Sequence, residues 1–286
     1  MDQSLLPTIA VFDSGIGGLS ILSGLASRFP GARYLYGCDS EGFPYGIKTD
    51  EEVVRRVLDF NLKMIRRFPQ VDLLVVACNT ASTVALELLR QNLSLPIVGV
   101  VPALKPAAQM TRTATIGLLA TPATIKRPYT LNLVAQFARG RRVFMHGSST
   151  LVTLAEAKLR GRWDARMGEE VARELAPLFA QSPLESFKKL DTVVLGCTHF
   201  PHLIEELRAV APWDVQWVDS TQAIAARVGV LLGEKGYDLE LLRTEFSAPL
   251  QWFESPVEGH PTRPPPQAAQ EIFGSVDCVW QEAPVK

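Results

Sequence analysis

Val71-Asp-Leu-Leu-Val-Val-Ala77 runs into Cys78, and Asp191-Thr-Val-Val-Leu-Gly196 runs into Cys197. Each phrase is a short, nearly continuous apolar run ended by a small residue, then a thiol, then polar residues. Unbroken apolar runs of this length are buried strands of a parallel sheet, and α/β proteins present reactive groups at the carboxyl edge of such strands. Finding the phrase twice predicts two sheets and two half-sites facing one ligand.

Further short apolar stretches alternate with longer amphipathic ones. Strands are expected at 8–12, 33–37, 71–77, 96–101, 115–119, 142–146, 191–196 and 215–218, a βα alternation that predicts an α/β fold with mainly parallel sheets. Between them, 51–68 carries Val53, Val54, Val57, Leu58, Asn61, Leu62 and Ile65 at helical spacing, with Pro69 as the stop. Thr8-Ile-Ala-Val-Phe-Asp-Ser14 aligns with Thr115-Ile-Gly-Leu-Leu-Ala-Thr121 at nearly the offset that aligns the two Cys phrases. Two matches in the same order point to a duplicated domain, although any two parallel strands share some of this pattern. Pro102-Ala-Leu-Lys-Pro106 breaks the periodicity, and 215–220 reads as a return strand. The expected division is 1–103 with 219–286 as one discontinuous domain and 104–218 as the other. Five prolines between Ser255 and Pro266 predict a loop, followed by a short helix at 268–273 and an edge strand at 276–280.

The bulk properties narrow the partners. In 286 residues, 29 Lys+Arg face 30 Asp+Glu, a formal net charge of -1, which argues against a nucleic-acid binder relying on electrostatics. The opening residues have an acid where a signal peptide has its basic region, and no long apolar run follows, so neither a leader nor a membrane span is read and a cytoplasmic location is expected. The four cysteines, 38, 78, 197 and 278, lack a paired framework and should be free thiols. Cys38 and Cys278, outside the strand phrase, are expected to be buried packing residues.

Asp13-Ser-Gly-Ile-Gly-Gly-Leu-Ser20 follows a strand and precedes an apolar periodic stretch. Ser20 stands where a dinucleotide fingerprint needs its third Gly, and no Gly-Lys-Ser/Thr follows. The glycines read either as a tight turn or as a site for an anionic group, and Asp13 at the end of a buried strand favours the site. Cys78-Asn79-Thr80 and Cys197-Thr198-His199 place thiols beside donors at strand-to-helix turns, where a helix N-terminus or a cation favours the thiolate. A packed structural thiol would account for either one alone; the matched pair favours a site. Cys197-Thr-His199-Phe-Pro-His202 is poorly spaced for zinc, and no metal is expected. His202 reads as a surface or capping residue. Phe43-Pro-Tyr-Gly-Ile-Lys48 is a compact turn, either projecting groups over a pocket or plain surface. Leu151 to Arg160 has helical leucine spacing, with Glu156 ordinarily on the solvated side.

Taken together, Val11-Phe-Asp-Ser-Gly-Ile-Gly-Gly-Leu-Ser20, Phe43-Pro-Tyr-Gly-Ile-Lys48, Val76-Ala-Cys-Asn-Thr-Ala-Ser82, Val98-Gly-Val-Val-Pro-Ala103 and Leu195-Gly-Cys-Thr-His-Phe-Pro201 resemble the glutamate racemases, over nearly the whole chain. The Cys-Thr-His form separates that family from the similar aspartate racemases. The resemblance implies two pseudo-symmetric flavodoxin-like domains with the active site in the cleft between them, no cofactor, and a homodimer. It makes Cys78 and Cys197 the acid/base thiols acting on D- and L-glutamate respectively, with Asp13, Glu156 and His199 as auxiliary ionisable groups. Asp13, Ser14, Tyr45, Gly46, Asn79, Thr80, Thr121, Thr124, Thr198 and His199 would hold the substrate. Val100-Val101-Pro102 replaces the Glu that many members carry before the Pro, as in a subset of which some members are activated by a peptidoglycan precursor. The function implied is cofactor-independent racemisation that supplies D-glutamate for peptidoglycan. Two other readings stay open: an aspartate or hydantoin-type racemase on the same scaffold, and a non-catalytic amino-acid-binding or regulatory module.

Overall fold

The structure, a computed structural model, describes residues 6–244, 249–255 and 265–278. It divides into two compact units, one formed by Met1–Val100 with Thr221–Lys286 and the other by Val101–Ser220.

In the first unit the strands are β1 (Thr8–Asp13), β2 (Arg33–Cys38), β3 (Leu73–Val76) and β4 (Ile97–Gly99). In the second they are β5 (Thr115–Ala120), β6 (Arg142–Gly147), β7 (Thr192–Gly196) and β8 (Gln216–Val218), and the chain then returns to the first unit with β9 (Leu250–Glu254) and β10 (Val276–Cys278). All pairings are parallel. The sheet orders are β10-β9-β2-β1-β3-β4 and β6-β5-β7-β8. The order β2-β1-β3-β4 is thus repeated as β6-β5-β7-β8, strand for strand. The duplication seen in the phrases is therefore a duplication of topology.

The central strands are buried along their whole length, as strands covered by helices on both faces must be. The first core brings Phe12, Leu74 and Val76 against Val53, Val57, Phe60 and Met64, the buried stripe of the helix Asp50–Arg67. That helix starts one residue before its expected bound, because Thr49 caps it by accepting the Glu52 N–H at 3.3 Å. Acids fill its first turn and Arg66 and Arg67 its last, both favourable to the helix dipole. The second core packs Ile116, Leu118 and Val194 against Leu104, Ala107 and Ala108 of the helix Leu104–Met110.

β9 is absent from the expected strands, since Leu250-Gln-Trp-Phe-Glu254 is short and bordered by no clear turn signal. It matters to the first unit nonetheless. Trp252 is fully buried and stacks on Tyr36, ring centroids 4.7 Å apart. Trp252→Ala is expected to cost about 4 kcal/mol through the cavity it leaves, read as a lowered urea midpoint with an unchanged slope; a loss within the error of the fit would show that the strand contributes little.

Cys38 is buried at the end of β2, as expected, but Cys278 is exposed. It terminates a short edge strand that has no neighbour beyond it among the described residues. The Pro-rich stretch expected as a loop lies outside the described residues from 256 to 264, as do 279–280 of the last expected strand and residues 1–5. The short helix before that strand runs Gln267–Phe273, one residue earlier than its spacing suggested. Among the described residues, no helix is long and apolar enough to cross a membrane.

Candidate active site

In the first unit, β1 delivers Asp13 and Ser14 to the carboxyl edge of the sheet while its neighbour β3 delivers Cys78 to the same edge. Asp13 is fully buried, its Oδ1 accepting the Ser14 hydroxyl at 3.2 Å and the Gly15 N–H at 3.4 Å. The Ser14 Oγ lies 3.6 Å from the Cys78 Sγ. Cys78 is 6% exposed and is the N-cap of the helix Asn79–Val84, its sulfur accepting the Ala81 N–H at 3.5 Å. The expected strand-to-helix turn is present at this thiol. Behind it, Gly18 is a packing necessity: a Cβ there would lie 2.8 Å from the Tyr36 hydroxyl and 2.9 Å from Asp13 Oδ2. The close approach to Tyr36 and Asp13 gives this glycine a packing role.

Asn79 is buried, and its Nδ2 has no hydrogen-bond partner among the described residues. An unpartnered buried amide costs stability, and a ligand acceptor would satisfy it. Thr80 is buried beside it. Tyr45 and Gly46 lie on the 3₁₀ turn Tyr45–Ile47, which follows a cis Phe43–Pro44 peptide. The buried Tyr45 hydroxyl donates to Asp39 Oδ2 at 2.6 Å, so its proton is committed within the unit. Burial, then the Asp39 carboxylate, then Cys78 hold that hydroxyl well above its ordinary pKa.

The second unit repeats the placement with different chemistry. β5 ends before Thr121, and its neighbour β7 ends before Cys197, which is 7% exposed. Thr121 and Thr124 are both buried, with their hydroxyls 2.9 Å apart; Thr121 caps the helix Pro122–Lys126 by accepting the Thr124 N–H at 3.2 Å. Thr198 is buried as well. The expected strand-to-helix turn is not found at Cys197. Pro201 is the second residue of the 3₁₀ turn Phe200–Leu203, where its missing N–H is tolerated, and the α-helix begins only at Ile204.

What faces the Cys197 sulfur is a charged chain of side chains. His199 Nδ1 lies 3.9 Å from Cys197 Sγ, and His199 Nε2 lies 2.9 Å from Glu156 Oε2. The other Glu156 oxygen, Oε1, accepts from Arg160 Nε at 3.0 Å and from its terminal nitrogen at 2.9 Å. Burial of His199 works to lower its pKa. The hydrogen bonds and charges of Cys197 and Glu156 outweigh that and raise it to about 10, a direction that favours the doubly protonated ring. Glu156 is therefore not the solvated helix residue its spacing suggested. It is buried because it pairs with His199 and Arg160. The sequence reading overlooked Arg160, although Glu156 and Arg160 sit at the i,i+4 spacing that places an acid beside a base on one helix face.

The His202 carbonyl accepts from Lys158 Nζ at 3.0 Å. Among the described residues, no group of three or more His, Cys, Asp or Glu is arranged to hold a metal.

Two thiols thus stand at corresponding strand ends of the two units, each among buried polar groups. The family model described as Asp/Glu/Hydantoin racemase matches residues 20–228. The chain belongs to this racemase family. A glutamate racemase of Salmonella gallinarum is 48% identical over 232 residues, 81% of this chain and 79% of that protein. The crystal structure of Escherichia coli glutamate racemase in complex with L-glutamate and activator UDP-MurNAc-ala is similar at a TM-score of 0.82 and 39% identity, covering 96% of this chain and 97% of that one. A glutamate racemase isoform from Bacillus anthracis is similar at a TM-score of 0.76 and 29% identity, over 98% of this chain and 99% of that one. This member of the racemase family is an amino-acid racemase, an isomerase.

Proposed function

We propose that the chain interconverts L- and D-glutamate by passing the α-proton between Cys78 and Cys197, and so supplies D-glutamate for peptidoglycan synthesis. The observation that supports it most is the placement of the two thiols: each follows the third strand of a repeated β2-β1-β3-β4 order, among buried polar groups.

Inversion removes a proton from one face of the α-carbon and returns one to the other, so it needs two groups in opposite protonation states. In the L-to-D direction the Cys197 thiolate takes the α-proton and becomes a thiol. The Cys78 thiol gives its proton to the opposite face and is left as thiolate. The D-to-L direction runs the same transfers in reverse. The carbanion's charge spreads into the substrate carboxylate, where each well-placed donor contributes about 3 to 4 kcal/mol. Asn79 Nδ2, with no partner among the described residues, is the donor best prepared for that role, and Ser14, Thr80, Thr121, Thr124 and Thr198 are candidates beside it. Asp13 and the His199–Glu156 pair bias the ionisation of the thiol each adjoins. Tyr45 and Gly46 contribute a wall of the first half-site.

A homodimer, a cytoplasmic location and activation by a peptidoglycan precursor complete the proposal. Four free cysteines suit a reducing compartment.

The test is the circular dichroism of L-glutamate and, in parallel, L-aspartate, with no added cofactor, repeated with UDP-MurNAc-Ala present. Loss of the L-glutamate signal toward a racemic end point is the expected result. Faster change on L-aspartate would transfer the assignment to that substrate, and tight glutamate binding with no change of signal would indicate a regulatory module.

A further inference from the structure

The helix Thr150–Leu159 ends at Arg160, a charge that the proton-transfer scheme does not use. Arg160, its C-cap residue, directs two N–H groups at one oxygen of Glu156, whose other oxygen lies 2.9 Å from His199 Nε2. We infer that Arg160 is a positioning residue that fixes Glu156 on His199 and thereby holds the imidazolium against the Cys197 sulfur. The inference rests on the racemase reading above.

The geometry carries it in three steps. A carboxylate in contact with a single base can rotate or shift. Here Oε1 is pinned by two donors at 3.0 and 2.9 Å, so Oε2 is held 2.9 Å from His199 Nε2. The ring, anchored at Nε2, can then present only Nδ1 to Cys197. Charges alternate along the line, Arg160 positive, Glu156 negative, His199 positive, so a thiolate at its end continues the alternation and a neutral thiol does not. The site is buried enough for such pairs to be worth several times their value in water.

The two ends of the line are also held in register. Lys158, two residues before Arg160, donates to the His202 carbonyl at 3.0 Å and pairs with Glu206 at 2.6 Å, tying the helix that carries Glu156 to the segment that carries His199. On the helix Ala165–Ala180, Glu174 accepts from Ser148 Oγ at 2.5 Å.

The experiment compares the full-length protein with its Arg160→Gln and Arg160→Lys variants. Iodoacetamide labels Cys197 and Cys78, peptide mapping follows each, and racemisation kcat/KM is measured from neutral to alkaline pH. Arg160→Gln should alkylate Cys197 about tenfold more slowly at neutral pH with Cys78 unchanged, lower kcat/KM roughly ten- to hundredfold, and move the acid limb of its pH profile upward. In a Glu156→Gln background the same change should have no further effect on Cys197, because Arg160 acts through that carboxylate. Arg160→Lys keeps the charge and loses the paired donors. It should shift Cys197 in the same direction by less, and it decides the matter alone if the neutral variant does not fold. Unchanged Cys197 labelling in a folded variant, or equal slowing at both thiols, overturns the inference. Absence of racemisation in the wild-type protein would instead sink the reaction, while the labelling comparison still reports on Arg160.

Discussion

Cys78→Ala and Cys197→Ala each lose racemisation by roughly a thousandfold or more, the full contribution of a general acid or base, while Cys38→Ala and Cys278→Ala stay near wild type. The contrast follows from position. Cys38 and Cys278 end β2 and β10, away from the repeated strand ends that carry Cys78 and Cys197. Either single variant retains one proton-transfer group, so it can still exchange the α-proton of one enantiomer with solvent without inverting it. In D2O, Cys78→Ala should wash deuterium into L-glutamate, and Cys197→Ala into D-glutamate, both without loss of optical activity, as seen by proton NMR with chiral analysis. Equal racemisation in all four variants would remove the thiols from the mechanism.

Arg56→Met should cost stability on the scale of Trp252→Ala, through a charge left unpaired in place of a cavity. Asp39 is 2% exposed and accepts from Arg56 at 2.7 and 2.8 Å, from the Tyr45 hydroxyl at 2.6 Å and from Ser255 Oγ at 2.9 Å. Burial pushes its pKa up, and the Arg56, Tyr45 and Ser255 contacts overcome that and hold it below the ordinary carboxylate value. Removing the guanidinium leaves a buried carboxylate short of its cation, a loss of about 3 to 5 kcal/mol. The lower end applies here, because a small polar cavity of about 90 Å³ lined by Asp39, Arg56, Asp59 and Lys63 admits water to the network. The sign with pH is specific. In the wild type, a carboxylate with a depressed pKa contributes stability above its unfolded value of about 3.9 and loses it as pH falls through the native value. In the variant burial dominates and the pKa rises, so the contribution is full in acid and is lost as pH increases. The stability gap between the two proteins should therefore be wide at neutral pH and narrower near pH ~4. A gap independent of pH in urea titrations would mean that Asp39 does not sense Arg56. Because Tyr45 hangs from the same carboxylate and Gly46 follows it on the turn, KM for glutamate should rise with little change in kcat.

The alternation of apolar runs was readable because parallel strands covered on both faces must be apolar along their length. All eight strands expected through residue 218 form, within a few residues of their predicted bounds. β9 was not legible: its burial depends on docking against β2 from more than two hundred residues away, and nothing local marks it. Among the polar groups, Asp13, the Cys phrases and His199 announced themselves by standing at strand ends. Glu156 and Arg160 did not. On a helix surface an acid four residues before a base is the commonest of solvated pairs, and only the approach of His199 removes it from water. Asp39 and Arg56 were hidden for the same reason, since each is unremarkable until the fold brings them together.

The strand order also dictates a schedule. Residues 101–220 form one unbroken stretch containing every strand of the second sheet, whereas the first sheet takes its fifth strand from residues 250–254. On a ribosome the inner unit is available whole while the outer one still shows the open edge of β2, with Tyr36 lacking the indole that covers it. The half of the molecule begun first is the half completed last.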